Sequence, residues 1–65
     1  MWTLESDRFL HGSKDFSSEI AALEEAKVAM MVRVPVYRLL KDGEEVMDQD
    51  ALHRRLLRDY PNLAK

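Results

Sequence analysis

Cysteine is absent from this 65-residue chain. Disulfides are therefore excluded, and the usual zinc site lacks its thiolates. Two histidines remain, His11 and His53. With Asp7 or Asp50 they could only make a metal site whose spacing matches no ligand pattern, so packed or solvated histidines are expected. Glycine and proline are nearly absent: Gly12, Gly43, Pro35 and Pro61 are the whole supply. That leaves no glycine-rich loop to cradle a phosphate and no flexible linker. Long apolar runs are missing too. The longest is Val28 to Val32, ended by Arg33, against the roughly 20 residues of a membrane span. The opening residues Met1 to Asp7 carry acids where a secretory signal needs bases. The expectation is a cytoplasmic chain with no membrane contact and no cofactor.

Size sets the next limit. A chain this short forms one domain, and its own core stabilises it only marginally. Without disulfides or metal, the common remaining support is a partner, either another protein or a second copy of the chain.

The formal net charge is −2, from 10 basic and 12 acidic residues. A binder of nucleic acid that relies on overall charge is disfavoured. The charges are segregated, however. Asp42, Glu44, Glu45, Asp48 and Asp50 follow one another with no base among them, whereas His53, Arg54, Arg55 and Arg58 follow with no acid. The plainer expectation is that the acidic arm and the basic helix neutralise each other. The sharper one is two patches for different partners.

The pattern along the chain predicts a β-α-β-β-α order. Trp2, Leu4 and Leu10 share a parity that favours an opening strand, with a short helix capped by Thr3 as the competing reading. Residues 12–15 then form a loop. Asp15 or Ser17 can cap a helix in which Ile20, Leu23, Ala26 or Lys27, and Met30 share a face. No glycine ends this helix. Its end is placed near Val28 and the next strand near Met31, with a helix reaching Arg33 as the alternative. In that strand Val32, Val34, Val36 and Leu40 alternate with Met31, Tyr37 and Leu39, so both faces are partly apolar. Pro35, without an N–H, belongs at a strand start, a bulge or an edge.

Asp42-Gly43 predicts a tight hairpin turn, with Glu44 to Met47 returning as a strand. Asp48 or Asp50 caps a last helix striped by Leu52, Leu56 and Tyr60, with Leu57 beside them and an Asp50–Arg54 pair on its surface. Pro61 stops it, and residues 61–65 form a frayed tail in which Leu63 could still pack. The fold class is thus a small single α+β domain with a short antiparallel sheet and two helices; a mostly helical domain with one β-hairpin is the alternative.

No constellation carries catalysis. Ser17 and Ser18 read as caps, and the adjacent acids Glu24-Glu25 and Glu44-Glu45 diverge rather than converge. The expectation is not an enzyme but a small regulator, inhibitor or accessory subunit that binds a protein. Trp2, Met31, Tyr37 and Leu39 would supply an apolar sheet face, with Arg54, Arg55 and Arg58 as its charged rim. Met30, Met31 and Met47 could mark an adaptable surface, although ordinary core is the plainer reading. Two alternatives stay open. One is a nucleic-acid-binding or transcription-regulatory module placing Arg54, Arg55 and Arg58 on phosphates. The other is a homo-oligomeric structural component such as a homodimer.

Overall fold

The structure is a computed structural model that describes residues 1–64; Lys65, the last residue of the expected tail, lies outside the described residues. The elements are β1 (Trp2–Ser6), β2 (Ser13–Phe16), α1 (Glu19–Met31), β3 (Val36–Lys41), β4 (Glu44–Met47), α2 (Gln49–Asp59) and a 3-10 turn (Pro61–Ala64). The strands form one antiparallel sheet in the order β2-β1-β3-β4. Both helices pack on the same face of it, and the core lies between. The fold is a small α+β domain of two layers. No described helix is long and apolar enough to cross a membrane.

One strand more is present than the residues suggested. Ser13-Lys-Asp-Phe16, expected as a loop, pairs with β1 from Trp2↔Phe16 to Glu5↔Ser13. Ser, Lys and Asp are poor strand formers, so nothing local announces β2. Its pairing with β1 is what makes it a strand. With it, the chain becomes two successive hairpin–helix units, β1-β2-α1 and β3-β4-α2. Each unit gives its first strand to the centre of the sheet and its second to an edge.

The helices start as short side chains dictate. Ser18 accepts from the Ala21 N–H at 3.1 Å, and Asp48 accepts from the Ala51 N–H at 2.8 Å. The first cap is thus Ser18, one of the two serines read as caps, rather than Asp15 or Ser17. Four and eight residues after each cap lie buried positions: Ala22 and Ala26 in α1, Leu52 and Leu56 in α2. Ala29 and Leu23 complete the α1 floor. Ile20, expected on that apolar face, is 67% exposed.

Helix α1 runs past Val28 to Met31, close to the longer alternative. Arg33 ends it in the left-handed region (φ 60°). Its N–H bonds the Met30 carbonyl at 3.1 Å, and the Val34 N–H bonds the Ala29 carbonyl at 2.8 Å. This is the two-bond closure that glycine usually provides, here built on an arginine. The hairpin turn is as the residues predicted: Asp42 (φ 51°) and Gly43 (φ 86°) occupy the two left-handed positions.

Strand β3 departs most from simple alternation. Leu4 lies opposite Leu39 and Glu5 opposite Arg38, but Ser6 lies opposite Val36. Tyr37 is therefore an extra residue, a β-bulge, and the phase of the strand reverses there. Val36 and Leu39, three apart, both reach the core and are fully buried. Leu39 had been expected on the same face as Tyr37; the bulge overturns that. A second bulge beside Val46 interrupts the β3–β4 pairing. Ser6, also fully buried, donates its Oγ hydrogen to the Pro35 carbonyl at 2.7 Å and accepts from the Arg8 N–H.

Two outcomes follow for urea unfolding. Leu39→Ala lowers stability by about 2–5 kcal/mol, as a buried leucine does, whereas Tyr37→Ala loses about 1 kcal/mol or less. Equal losses would contradict the reversed phase. Arg33→Gly relieves a left-handed side chain, roughly 1–2 kcal/mol, and loosens the unfolded chain by roughly 0.4–1 kcal/mol. The net is a gain of about 0.5–1 kcal/mol, and a loss would contradict the strain.

Candidate protein-binding surface

The residues proposed for contact do not share one surface, although Arg54, Arg55 and Arg58 line a hollow of ≈ 300 Å³ with Ala51 on α2. Leu39 is in the core, and no partner can reach it. Met31 is not on the sheet but in the last turn of α1, 64% exposed. Trp2 is half-buried and packs against the core beneath Lys41, whose Nζ lies 5.3 Å from the ring centre. Tyr37 is exposed on the bulge, where its hydroxyl donates to Asp7 at 2.7 Å. That bond to an acceptor, reinforced by the charge of Asp7, raises the phenol above its ordinary pKa.

The uncovered sheet face is polar rather than apolar. Arg38 bridges Glu5 at 2.8 Å and Glu45 at 3.7 Å. Thr3 donates to Asp15 across β1 and β2. Bonding to Glu5 first, and its charge next, holds Arg38 still more firmly protonated. A face of crossed ion pairs and hydrogen bonds is satisfied by itself and by water. It does not supply the apolar interface expected there.

The basic helix also differs from expectation. Among the described residues its arginines do not meet the hairpin acids. Arg55 reaches Asp59 at 2.6 Å and Glu19 of α1 at 3.1 Å, while Arg58, 72% exposed, holds the other oxygen of Asp59 at 3.3 Å. Asp42 pairs instead with the amino group of Met1, which lowers its pKa, and Glu45 pairs with Arg38. Arg54 takes part in no ion pair among the described residues, so the expected Asp50–Arg54 pair is not formed.

The structure gathers a different set of residues. The chain turns at Tyr60–Leu63 and lies against the end of α1, with Leu63 packed on the core. Two clefts of ≈ 400 Å³ flank this contact. One is lined by Met30, Met31, Arg33, Asn62 and Leu63. The other is lined by Lys27, Met31, Asp59, Tyr60, Pro61, Asn62 and Leu63. They adjoin at Met31, Asn62 and Leu63, as the two parts of a trough. A third hollow of ≈ 270 Å³, walled by Met30, Arg33, Val34, Pro35 and His53, extends it past the end of the helix.

Methionine floors this trough, and methionine adapts its shape to what it meets. The methionine cluster was visible in the sequence. Lys27 and Tyr60 were read only as helix-face positions and Arg33 only as a possible second basic element for nucleic acid, because it is the turn after α2 that brings Tyr60 and Asn62 to the end of α1. The one available signal was a helix end without glycine, which leaves a side chain at the left-handed position. His11 lies in the β1–β2 loop and His53 in α2, and among the described residues no group of three could hold a metal.

Asp59 yields a pH test. Its pKa is lowered, first by the bond from Arg55 and then by that from Arg58, against the opposing effect of burial. A carboxylate lowered in the folded state stabilises above its unfolded value and loses that contribution as pH falls through the folded one. The stability difference between the wild type and Asp59→Asn therefore stays constant from neutrality to about pH 4 and fades below. A difference unchanged at lower pH would contradict the assignment. Comparison with protein-family models, curated proteins and solved structures returned no match to this chain.

Proposed function

We propose that the chain is a non-enzymatic cytoplasmic protein-binding module, a regulator or accessory subunit, whose contact surface is the trough at the end of α1. One observation carries this reading. Two clefts of ≈ 400 Å³ adjoin at Met31, Asn62 and Leu63, the one beside Lys27 and Tyr60 mainly apolar and the one beside Arg33 mainly polar. A groove of this size, mainly apolar in one cleft and mainly polar in the other, suits mixed side chains of a partner. Met31 stands 64% exposed and Val32 59% exposed beside it, an arrangement that gains from being covered.

Phosphate binding by the last helix has weaker support. Two of its three arginines are engaged by Asp59, and one of these also by Glu19. A phosphate would have to displace those carboxylates.

A photo-crosslinking side chain placed at Met31 and, separately, at Ile20 tests the proposal in cells that express the protein. Both positions are exposed on α1. Capture of a defined protein through position 31 but not 20 is the expected outcome. Equal capture from both, or from neither, would sink the trough as a binding surface.

A further inference from the structure

We infer that the trough takes a peptide segment that is both apolar and acidic: aliphatic side chains laid on Met30, Met31 and Leu63, with carboxylates reaching Lys27 and Arg33. The inference rests on the trough being the contact surface and adds the chemistry of its occupant.

The argument begins with charge. Lys27 and Arg33 stand on opposite sides of Met31 along the trough, and neither takes part in an ion pair among the described residues. The amine of Lys27 lies 5.0 Å from the centre of the Tyr60 ring, which holds it in place without neutralising it. The single acid in the walls, Asp59, has one oxygen on Arg55 and the other on Arg58. Its charge is therefore already answered. Among the described residues the trough thus presents two unpaired cations, with its apolar surface mainly at the Lys27–Tyr60 end.

Geometry then selects the class of occupant. The hollows adjoin in turn, sharing first Met31, Asn62 and Leu63 and then Met30 and Arg33. A succession of adjoining hollows fits an extended segment better than a compact ligand. Nucleic acid would answer the cations but offers no aliphatic side chains to the methionines. A peptide that combines carboxylates with Leu, Met or Phe answers both. The backbone at Arg33 contributes as well. The left-handed turn fixes where the Arg33 side chain departs from the helix end, so its direction is set before binding.

Selection from a random linear-peptide library displayed on phage, with the full chain as bait, tests the inference. Enriched peptides should combine Asp or Glu with large apolar residues. Their affinity should fall by about tenfold or more on Arg33→Glu and on Met31→Lys. Ile20→Lys, an equally exposed change on the same helix, should leave it unaltered. Circular dichroism verifies that each variant is folded. Peptides that depend on Met31 but carry no acids overturn the acidic occupant and leave the trough reading standing. Peptides indifferent to Met31, or no enrichment at all, overturn both. A single-stranded oligonucleotide bound more tightly than the peptides in a Met31-dependent way would transfer the site to nucleic acid. Self-association abolished by Met31→Lys would make the occupant a second copy of the chain.

Discussion

Leu4 faces Leu39 across the two central strands, and the two halves of the molecule are joined there. Each residue belongs to a hairpin that is followed by its own helix. Neither hairpin alone could cover its apolar side, because an isolated two-stranded sheet is marginal in water. Pairing β1 with β3 makes one four-stranded surface on which α1 and α2 share a single core. Both leucines must point the same way for this to work. On the β3 side that needs the bulge at Tyr37, since without it Val36 and Leu39 would face opposite layers. Ser6 secures the same seam by tying the end of β1 to the Pro35 carbonyl.

The two halves fill that core unequally. At matching places after their caps, α1 offers Ala22 and Ala26 while α2 offers Leu52 and Leu56. Alanine lets a helix backbone lie close to a sheet, and leucine reaches across a wider gap. Of the larger apolar residues of α1, Leu23 is buried and Met30 packs on the core, while Ile20 near its start and Met31 at its end are exposed. Of that exposed pair only the second acquires neighbours, because the turn after α2 returns to that end of α1.

Much of the architecture was legible in the residues. The Asp42-Gly43 turn, the Asp48 cap, the leucine stripe of α2 and the α+β class could be read directly, because each rests on a local rule about caps, turns or periodicity. What could not be read depends on partners distant in the chain. Ser13 to Phe16 is a strand only because β1 lies beside it. The phase of β3 is set by its register with β1, so the alternation through Tyr37 and Leu39 misled. The same error dispersed the candidate surface: Leu39 went to the core, and the sheet face expected to be apolar holds Glu5, Arg38 and Glu45 instead. Of the residues put forward from sequence, Met31 and its neighbour Met30 line the trough.

The bulge beside Val46 has a meaning for the molecule in a crowded solution. It lies in β4, one of the two open borders of the sheet. A flat border strand exposes a row of N–H and C=O groups on which another chain could continue the sheet. Here the border is four residues long, interrupted by the bulge, and begins with Glu44 and Glu45. The opposite border is equally short and carries Lys14 and Asp15 at its centre. Brevity, irregularity and charge at both margins oppose fibrous stacking, so a small domain with several apolar side chains in water resists growing by its backbone.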